Sequence, residues 1–414
     1  MSLTHAGVKE KQPRSSSTGA ILLIFTKLGL TSFGGPIAHL GYFRDEFVVR
    51  RRWLSEAGYA DLVALAQFLP GPASSQVGFA IGLMRGGLLG GLAAWAGFTL
   101  PSVLLLLVFA YAATGLDSPL TENILNGLKI VAVAVVAQAV CGMARSLCPD
   151  RERATIAVAA IVLMAFIGES TGQVAAIMAG GLAGLMLANR FAAANASEVS
   201  AAGLKLPVSR TTGTVLLVLA LALLVGLPLL QQAGIGGQSI AFFNAFYRAG
   251  ALVFGGGHVV LPLLQESVVD AGWVTTDAFM AGYGAAQAVP GPLFTFAAYL
   301  GFISGPEPNG WAGATIALTG VFLPGLLLMA GALPHWDALR RHASARAAMA
   351  GINAAVVGIL AAALYDPVWT SAILSLKDFA LAVIAFVLLM AWKAPPWLVV
   401  LVTALGAALF AHMG

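Results

Sequence analysis

Long apolar stretches alternate with short polar connections along most of the chain. We count about thirteen such stretches between residues 19 and 412, and several reach roughly 20 residues, the length that spans the hydrocarbon core of a bilayer. A backbone in lipid must satisfy its own hydrogen bonds, so each stretch is predicted to be helical. The stretch 154–167 is apolar except at Thr155, whereas a β-barrel strand would alternate. The pattern predicts an all-α, polytopic membrane protein.

Composition supports this class and excludes several functions. Of the 414 residues, 59% are hydrophobic and only 10% are charged, whereas soluble domains carry about 25% charged residues. A soluble enzyme is therefore excluded. The net charge of +4 comes from scattered basic residues without interleaved aromatics, so no nucleic acid is expected as a partner. The sequence contains no zinc, phosphate-loop, dinucleotide or catalytic-triad motif, which predicts a non-enzymatic protein with no metal and no cofactor.

The two halves of the chain repeat each other. Ordered matches at a nearly constant offset indicate a tandem duplication. Six apolar stretches precede the linker, and the stretch 213–230 is the seventh before the second repeat. An odd number of membrane crossings would invert the second copy relative to the first, as in many secondary transporters. The matches pair residues 25–35 with 246–256 (offset 221), residues 66–72 with 286–292 (offset 220), and Leu100-Pro101 with Leu323-Pro324 (offset 223).

The duplication predicts four regions in the chain. The first is a cytoplasmic tail over residues 1–18, which is polar and of mixed charge. The first repeat follows over residues 19–188. A linker and a central transmembrane helix occupy residues 189–238, and the second repeat covers residues 239–414.

Each repeat contains two apolar stretches that are interrupted at mid-length. Proline removes a backbone donor and glycine weakens a helix, so each interruption should end one half-helix and begin another. Two arrangements are open: a broken stretch crosses the membrane as a kinked helix, or it re-enters and returns to its own side. The re-entrant arrangement places the cluster Arg50–Arg52 with the other basic residues, as the positive-inside rule requires. The breaks are Gly34-Gly35-Pro36, Pro70-Gly71-Pro72, Gly255-Gly256-Gly257 and Pro290-Gly291-Pro292.

These breaks and two cations are the candidate substrate-binding features. Lys27 and Arg248 are repeat-equivalent and lie inside apolar stretches, where a charge usually faces a cavity or a partner; snorkelling to an interface is the alternative. A half-helix that begins after Pro-Gly-Pro presents free N–H groups that bind anions, and a simple packing kink is the alternative. His39 and His258 follow the glycine breaks and could donate to an anion or pack between helices. The candidate set is Lys27, Gly34, Gly35, Gln67, Ser74, Ser75, Arg248, Gly255, Gly256, His258, Gln287 and Thr295, with Pro36, Pro70, Gly71, Pro72, Pro290, Gly291 and Pro292 as structural helix breaks.

At these residues the chain resembles the chromate ion transporter family. The resemblance rests on Phe25-x-Lys27-x-Gly29 with Phe33-Gly34-Gly35-Pro36, on Phe254-Gly255-Gly256-Gly257-His258, and on the paired glutamine and Pro-Gly-Pro motifs. It covers nearly the whole chain, and the length matches the long, two-domain members. The resemblance implies export of chromate across the bacterial inner membrane, chromate resistance, and sulfate as a structural mimic of the substrate.

We therefore expect a multi-pass transporter that works by alternating access around a midplane oxyanion site. Its expected partners are chromate, sulfate and the lipid bilayer, and a homodimer is left open. Two other classes stay as alternatives. One is a carrier of sulfate or another anion, which includes an importer, and the other is an anion channel.

Overall fold

The computed structural model describes residues 17–115, 119–167, 169–188, 190 and 208–412. The regular elements within these ranges are all helical, which confirms the predicted all-α class. The expected tail up to residue 16 and the linker between residues 191 and 207 lie outside the described residues. Five helical stretches are long and apolar enough to cross a membrane, at residues 73–113, 121–147, 210–232, 310–339 and 343–372.

Seven helices lie in the described part of the first repeat. A turn of π-helix, Asp45–Arg50, extends α2, and α4 leaves helical geometry at Gly86 and Gly87. This kink divides α4 into a half-helix over residues 73–85 and a long helix over residues 88–115. The helices are α1 (Thr18–Thr31), α2 (Gly35–Arg44), α3 (Glu56–Phe68), α4 (Ala73–Gly115), α5 (Pro119–Leu147), α6 (Arg151–Ile167) and α7 (Glu169–Met186).

The central helix comes next, and the second repeat then has its helices in the same order as the first. Short 3-10 turns, Gly257–Val259 and Leu293–Thr295, precede α10 and α12. Apart from the short helices Trp336–Leu339 and Thr370–Ala372, the helices are α8 (Arg210–Gln232), α9 (Gly237–Ala251), α10 (Val260–Val268), α11 (Thr276–Ala288), α12 (Phe296–Ile303), α13 (Gly310–Ala332), α14 (Ala343–Ala363), α15 (Leu376–Met390) and α16 (Pro396–His412).

Equivalent residues begin equivalent helices in the two repeats. The Ser55 hydroxyl accepts from the Gly58 N–H at 3.1 Å and caps α3, and the Thr275 hydroxyl accepts from the Ala278 N–H at 3.3 Å and caps α11. A side-chain oxygen at this position satisfies a donor that the first helical turn leaves unpaired. The two caps belong to equivalent motifs, Trp53-Leu54-Ser55 and Trp273-Val274-Thr275 at offset 220, which fix where the helix before each Pro-Gly-Pro starts.

Both broken stretches of the first repeat fold back on themselves. The Phe25 ring of α1 packs on Phe47 at a centroid distance of 5.0 Å, so the chain beyond the glycine break returns along α1. The Arg85 guanidinium, at the end of the half-helix 73–85, lies 4.8 Å from the Trp53 ring, which precedes α3. The start and the end of each broken stretch thus meet at one end of the molecule. The structure has the re-entrant arrangement rather than kinked full spans.

The second repeat folds back in the same way. The Phe242 ring near the start of α9 packs on Trp273 at 5.1 Å, and the Trp273 carbonyl accepts from the Gly305 N–H at 2.9 Å. Trp273 lies before α11 and Gly305 after α12. The beginning of α9, the connection before α11 and the connection after α12 therefore meet at one end of the molecule. The broken stretches of the second repeat also form re-entrant hairpins.

The two sets of hairpins open at opposite ends of the molecule. Helix α13 begins beside the end of α12, where Gly313 contacts Gly301, and runs to the far end. There the Arg340 guanidinium reaches the Asp61 carboxylate near the start of α3, at 3.1 Å. A long helix thus separates the entrance of the second-repeat hairpins from the entrance of the first-repeat hairpins. The second repeat is inverted relative to the first.

Candidate functional site

The breaks of the two repeats are joined by a reciprocal pair of backbone hydrogen bonds. The Gly71 N–H donates to the Val253 carbonyl at 2.8 Å, and the Gly291 N–H donates to the Ser32 carbonyl at 2.9 Å. Gly71 and Gly291 are repeat-equivalent at offset 220, and Ser32 and Val253 are equivalent at offset 221. Each Pro-Gly-Pro break is therefore bonded to the glycine-rich break of the other repeat. We call this arrangement the interlock.

A pair of equivalent residues marks the pseudo-two-fold axis. Pro36 and Gly257 occupy the same position in the two repeats, at offset 221. A methyl group added at Gly257 would lie 3.2 Å from the Pro36 Cγ, so the two residues are in contact. A residue can touch its own equivalent only beside the axis that relates them. The axis therefore passes between the glycine-rich breaks.

Glycine is required at the centre of each Pro-Gly-Pro. Gly71 has φ +119° and Gly291 has φ +99°, a region that residues with a side chain rarely adopt. A methyl group at Gly71 would lie 3.0 Å from the Gly325 Cα, and one at Gly291 would overlap the Ser102 hydroxyl. Ser102 and Gly325 follow the equivalent Leu-Pro pairs at offset 223. Each break thus packs closely against the long helix of the other repeat.

Polar side chains reinforce these contacts. The Gln76 amide donates to the Pro70 carbonyl at 2.9 Å and to the Gly325 carbonyl at 3.1 Å, and it bridges the two repeats. The Ser102 hydroxyl donates to the Pro290 carbonyl. The bonds to Pro70 and Pro290 satisfy carbonyl groups at the two Pro-Gly-Pro breaks, as a buried backbone requires.

The predicted serines lie beside a buried histidine. Ser74 and Ser75 begin the half-helix 73–85, and both are buried. The Ser74 hydroxyl is 3.3 Å from the His39 Nδ1, and the His39 ring packs edge-on against Phe98 at 5.3 Å. Here the structure joins a predicted site residue to a histidine that follows the first glycine break.

The predicted residues of the second repeat make different contacts. The His258 Nδ1 is 2.7 Å from the Tyr283 hydroxyl, and the Thr295 hydroxyl donates to the Pro292 carbonyl at 2.8 Å. The Gln287 amide donates to the Tyr283 carbonyl one helical turn earlier, at 3.4 Å. The hydroxyl and amide donors of this half are thus used within the second repeat.

The predicted glycines lie at the interlock, but their exposure differs. Gly34 and Gly255 are exposed and have φ +100° and +75°. Gly35 and Gly256 are partly buried. A methyl group at Gly255 would lie 3.2 Å from the Met143 side chain of α5. Met143 of α5 therefore lies beside the second glycine break, and Gln67 of α3 is exposed.

The two predicted cations are not joined to each other. Lys27 is exposed on α1, and Arg248 is half-buried in a groove that Gln173, Glu266 and Ser267 help to line. Among the described residues, no hydrogen bond or ion pair connects the two side chains. The sequence placed both cations in apolar stretches, but it could not show which face of each helix they occupy.

Two ion pairs join the repeats at opposite ends of the molecule. Arg340 binds Asp61 at 3.1 Å, and it also binds Asp337. Lys129 of α5 binds Asp277, in the first turn of α11, at 3.0 Å. Lys129, which has no cationic equivalent in the second repeat, is therefore bound to a carboxylate.

Sequence reasoning did not single out Ser32 or Thr99. Both are fully buried, and neither hydroxyl has a hydrogen-bond partner. A single hydroxyl in an apolar stretch is common in membrane helices and does not by itself indicate a site. Comparison of the repeats could have identified these two residues, because the apolar residues Val253 and Phe322 stand at the equivalent positions.

Comparisons with known proteins agree on one family. The chain is 29% identical to the chromate transport protein of Pseudomonas aeruginosa over 408 residues, which cover 96% of this chain and 93% of the relative. It is 28% identical to the probable chromate transport protein of Synechococcus elongatus, over 93% of this chain and 94% of the relative. It is 25% identical to the chromate transport protein of Cupriavidus metallidurans, over 90% and 88%. No solved structure matches the chain. The model of the family described as chromate transporter matches residues 19–185 and 240–409, and the chain is a multi-pass membrane protein that belongs to this family.

Proposed function

We propose that the chain is a secondary transporter that exports chromate from the cytoplasm through the inner membrane and thereby confers chromate resistance. The observation that carries the proposal is the interlock of Gly71 with Val253 and of Gly291 with Ser32. It assembles four half-helix ends from two inverted repeats at one level of the molecule. Broken helices at a repeat interface are typical of substrate sites in secondary transporters. The chromate transport named for the relatives supports the choice of substrate.

The breaks supply what an oxyanion needs. The first N–H groups of a helix have no partner within the helix and carry partial positive charge. Ser74, Ser75 and Thr295 stand at two such beginnings, and Gly34, Gly35, Gly255 and Gly256 let the backbone approach a ligand closely. Lys27 and Arg248 supply positive charge for a dianion. Gln67, Gln287 and His258 complete the proposed set. The site uses no metal or cofactor.

Alternating access follows from the inverted repeats. If the two repeats rock about the pseudo-two-fold axis, the interlocked breaks open to one side and then to the other. The pairs Arg340–Asp61 and Lys129–Asp277 connect the repeats at opposite ends. Each pair would close the molecule at its own end and would break when that end opens.

The membrane potential favours export. A charge that crosses the membrane gains or loses about 2.3 kcal/mol per 100 mV. Chromate carries two negative charges, and the cell interior is negative. A dianion can therefore leave the cell downhill without a coupled proton.

Counterflow in proteoliposomes tests this function. Purified protein in liposomes that are loaded with unlabelled chromate should accumulate labelled chromate transiently, at a saturable rate, and external sulfate should compete. A channel would show no transient accumulation, so that result would contradict the carrier. Accumulation of sulfate but not chromate would move the assignment to a sulfate carrier.

The same assay tests the two cations. Lys27→Ala and Arg248→Ala should each abolish counterflow while membrane insertion stays normal, because a dianion then lacks neutralising charge. Lys377→Ala, which removes an exposed cation at the start of α15, is the matched control and should transport as the wild type does. Wild-type rates in Lys27→Ala and Arg248→Ala would refute the role of the pair and leave snorkelling as the explanation.

A further inference from the structure

We infer that a buried cluster of side-chain donors in the first repeat, with no counterpart at the equivalent place in the second, binds the oxyanion. The cluster consists of five buried residues, Ser32, His39, Ser74, Ser75 and Thr99, which we call the repeat-one polar cluster. The second repeat supplies an apolar wall at the equivalent place. This inference rests on the proposed function, because it names the groups that hold the proposed substrate.

The cluster is built at the start of the half-helix 73–85. Ser75 lies two turns before Gly82, on the helix face where Gly82 contacts Gly90 of the following long helix. This antiparallel packing places Ser75 opposite the turn that contains Thr99. On the next face, Ser74 meets the Nδ1 of His39 at 3.3 Å.

Two further contacts close the cluster. The His39 ring packs on Phe98, the neighbour of Thr99, at 5.3 Å. The Ser32 carbonyl accepts from the Gly291 N–H, and Gly291 in turn lies against the Phe98 carbonyl. Helices α1 and α2 thus both lie against Phe98 of α4.

Four polar atoms of this cluster have no hydrogen-bond partner. They are the Ser32 Oγ, the His39 Nε2, the Ser75 Oγ and the Thr99 Oγ1, and all four residues are at least 99% buried. A neutral imidazole that accepts from Ser74 at Nδ1 carries its proton on Nε2, so each of these atoms can donate. Buried polar groups normally find a partner, and four together indicate a ligand that accepts hydrogen bonds.

The sign of the ligand follows from the helix. The half-helix 73–85 points its N-terminus at the cluster, and its unpaired N–H groups favour negative charge. No carboxylate belongs to the cluster, and the hydroxyls and the imidazole N–H all donate. A tetrahedral oxyanion accepts from several directions at once, so it matches this set.

The second repeat lacks the same chemistry at the equivalent positions. Val253, Val260, Phe294 and Phe322 replace Ser32, His39, Ser74 and Thr99, and all four are buried. The Phe294 and Phe322 rings contact each other at 5.9 Å. Their equivalents, Ser74 and Thr99, therefore belong to one local environment. Thr295, the equivalent of Ser75, donates its hydroxyl to Pro292. The fold is duplicated, but this buried cluster of donors is present in the first repeat and is replaced by apolar residues at four of its five positions in the second.

Thr99→Val tests the inference against a structural role. Valine keeps the shape of threonine and removes the hydroxyl. In proteoliposome counterflow we expect the KM for chromate to rise about ten-fold, the loss of one hydrogen bond to a charged ligand, with little change in the maximal rate. Without chromate, the melting temperature of the purified protein should stay the same or rise, because an unpaired buried hydroxyl is gone.

Thr403→Val is the matched control. Thr403 is also fully buried in a helix, but its hydroxyl donates to the Val399 and Val400 carbonyls. The KM of Thr403→Val for chromate should equal that of the wild type. An unchanged KM in Thr99→Val, Ser75→Ala and His39→Gln would overturn the inference while the transporter stands. If Thr99→Val does not fold, the other two variants decide the result in the same way. If the wild type carries no oxyanion, the proposed function fails and this inference fails with it.

Discussion

Gly291→Val should leave little folded protein and no transport activity. The Gly291 backbone has φ +99°, and a side chain there would overlap the Ser102 hydroxyl. Backbone strain and overpacking together should destabilise the protein by roughly 3 kcal/mol or more. The Gly291 N–H would also lose its bond to the Ser32 carbonyl. We expect a strongly lowered melting temperature in detergent and no chromate transport by any protein that reaches the membrane.

Gly142→Val is the control for this change. Gly142 lies in α5 with no atom near the place of an added methyl group, and its φ is not positive. The melting temperature of Gly142→Val should stay close to that of the wild type, because valine is no less favourable than glycine inside a helix. If Gly291→Val melts at the wild-type temperature, the close approach at the interlock is not required and the account of the breaks is wrong.

Arg340→Ala should also strongly lower the stability of the folded protein. The Arg340 side chain is only 5% exposed, and its Asp61 partner is 15% exposed. Removing one member of such a buried pair leaves the other charge uncompensated and typically destabilises a protein by about 3–5 kcal/mol. The first and second repeats would also lose a connection at this end. We expect a lowered melting temperature and a lowered yield of folded protein.

An exposed pair provides the comparison for Arg340. Arg44 binds Glu56 at 2.6 Å, but their side chains are 48% and 60% exposed. Arg44→Ala should therefore change stability by less than about 1 kcal/mol. The double change Arg340→Met with Asp61→Asn should recover part of the loss, since no charge is then left buried. Equal melting temperatures for Arg340→Ala and Arg44→Ala would show that burial of the Arg340 pair is unimportant.

Much of the architecture could be predicted from the sequence, because it depends on local and repeated features. Apolar stretches of membrane length predict helices, and the duplicated motifs predict which breaks are equivalent. The choice between kinked spans and re-entrant hairpins could not be made from the breaks themselves, because Pro-Gly-Pro ends a helix in both arrangements. It depends on tertiary contacts such as Arg85 with Trp53.

The site was less predictable than the fold. The sequence singled out Ser74 and Ser75 because they follow a proline break, and the structure places both in a buried polar environment. It could not show that Lys27 is exposed, because position in an apolar stretch says nothing about the helix face. Ser32 and Thr99 gain meaning only once the repeats are superimposed and their apolar equivalents are seen.

Chromate uptake into inverted membrane vesicles tests the central claim most directly. In such vesicles the cytoplasmic face of the protein points outward, so export appears as uptake. An imposed inside-positive potential should drive saturable accumulation of chromate that excess sulfate reduces, and Lys27→Ala vesicles should show none. No accumulation in vesicles that contain the folded wild-type protein would contradict chromate export, while the interlocked inverted repeats would still stand.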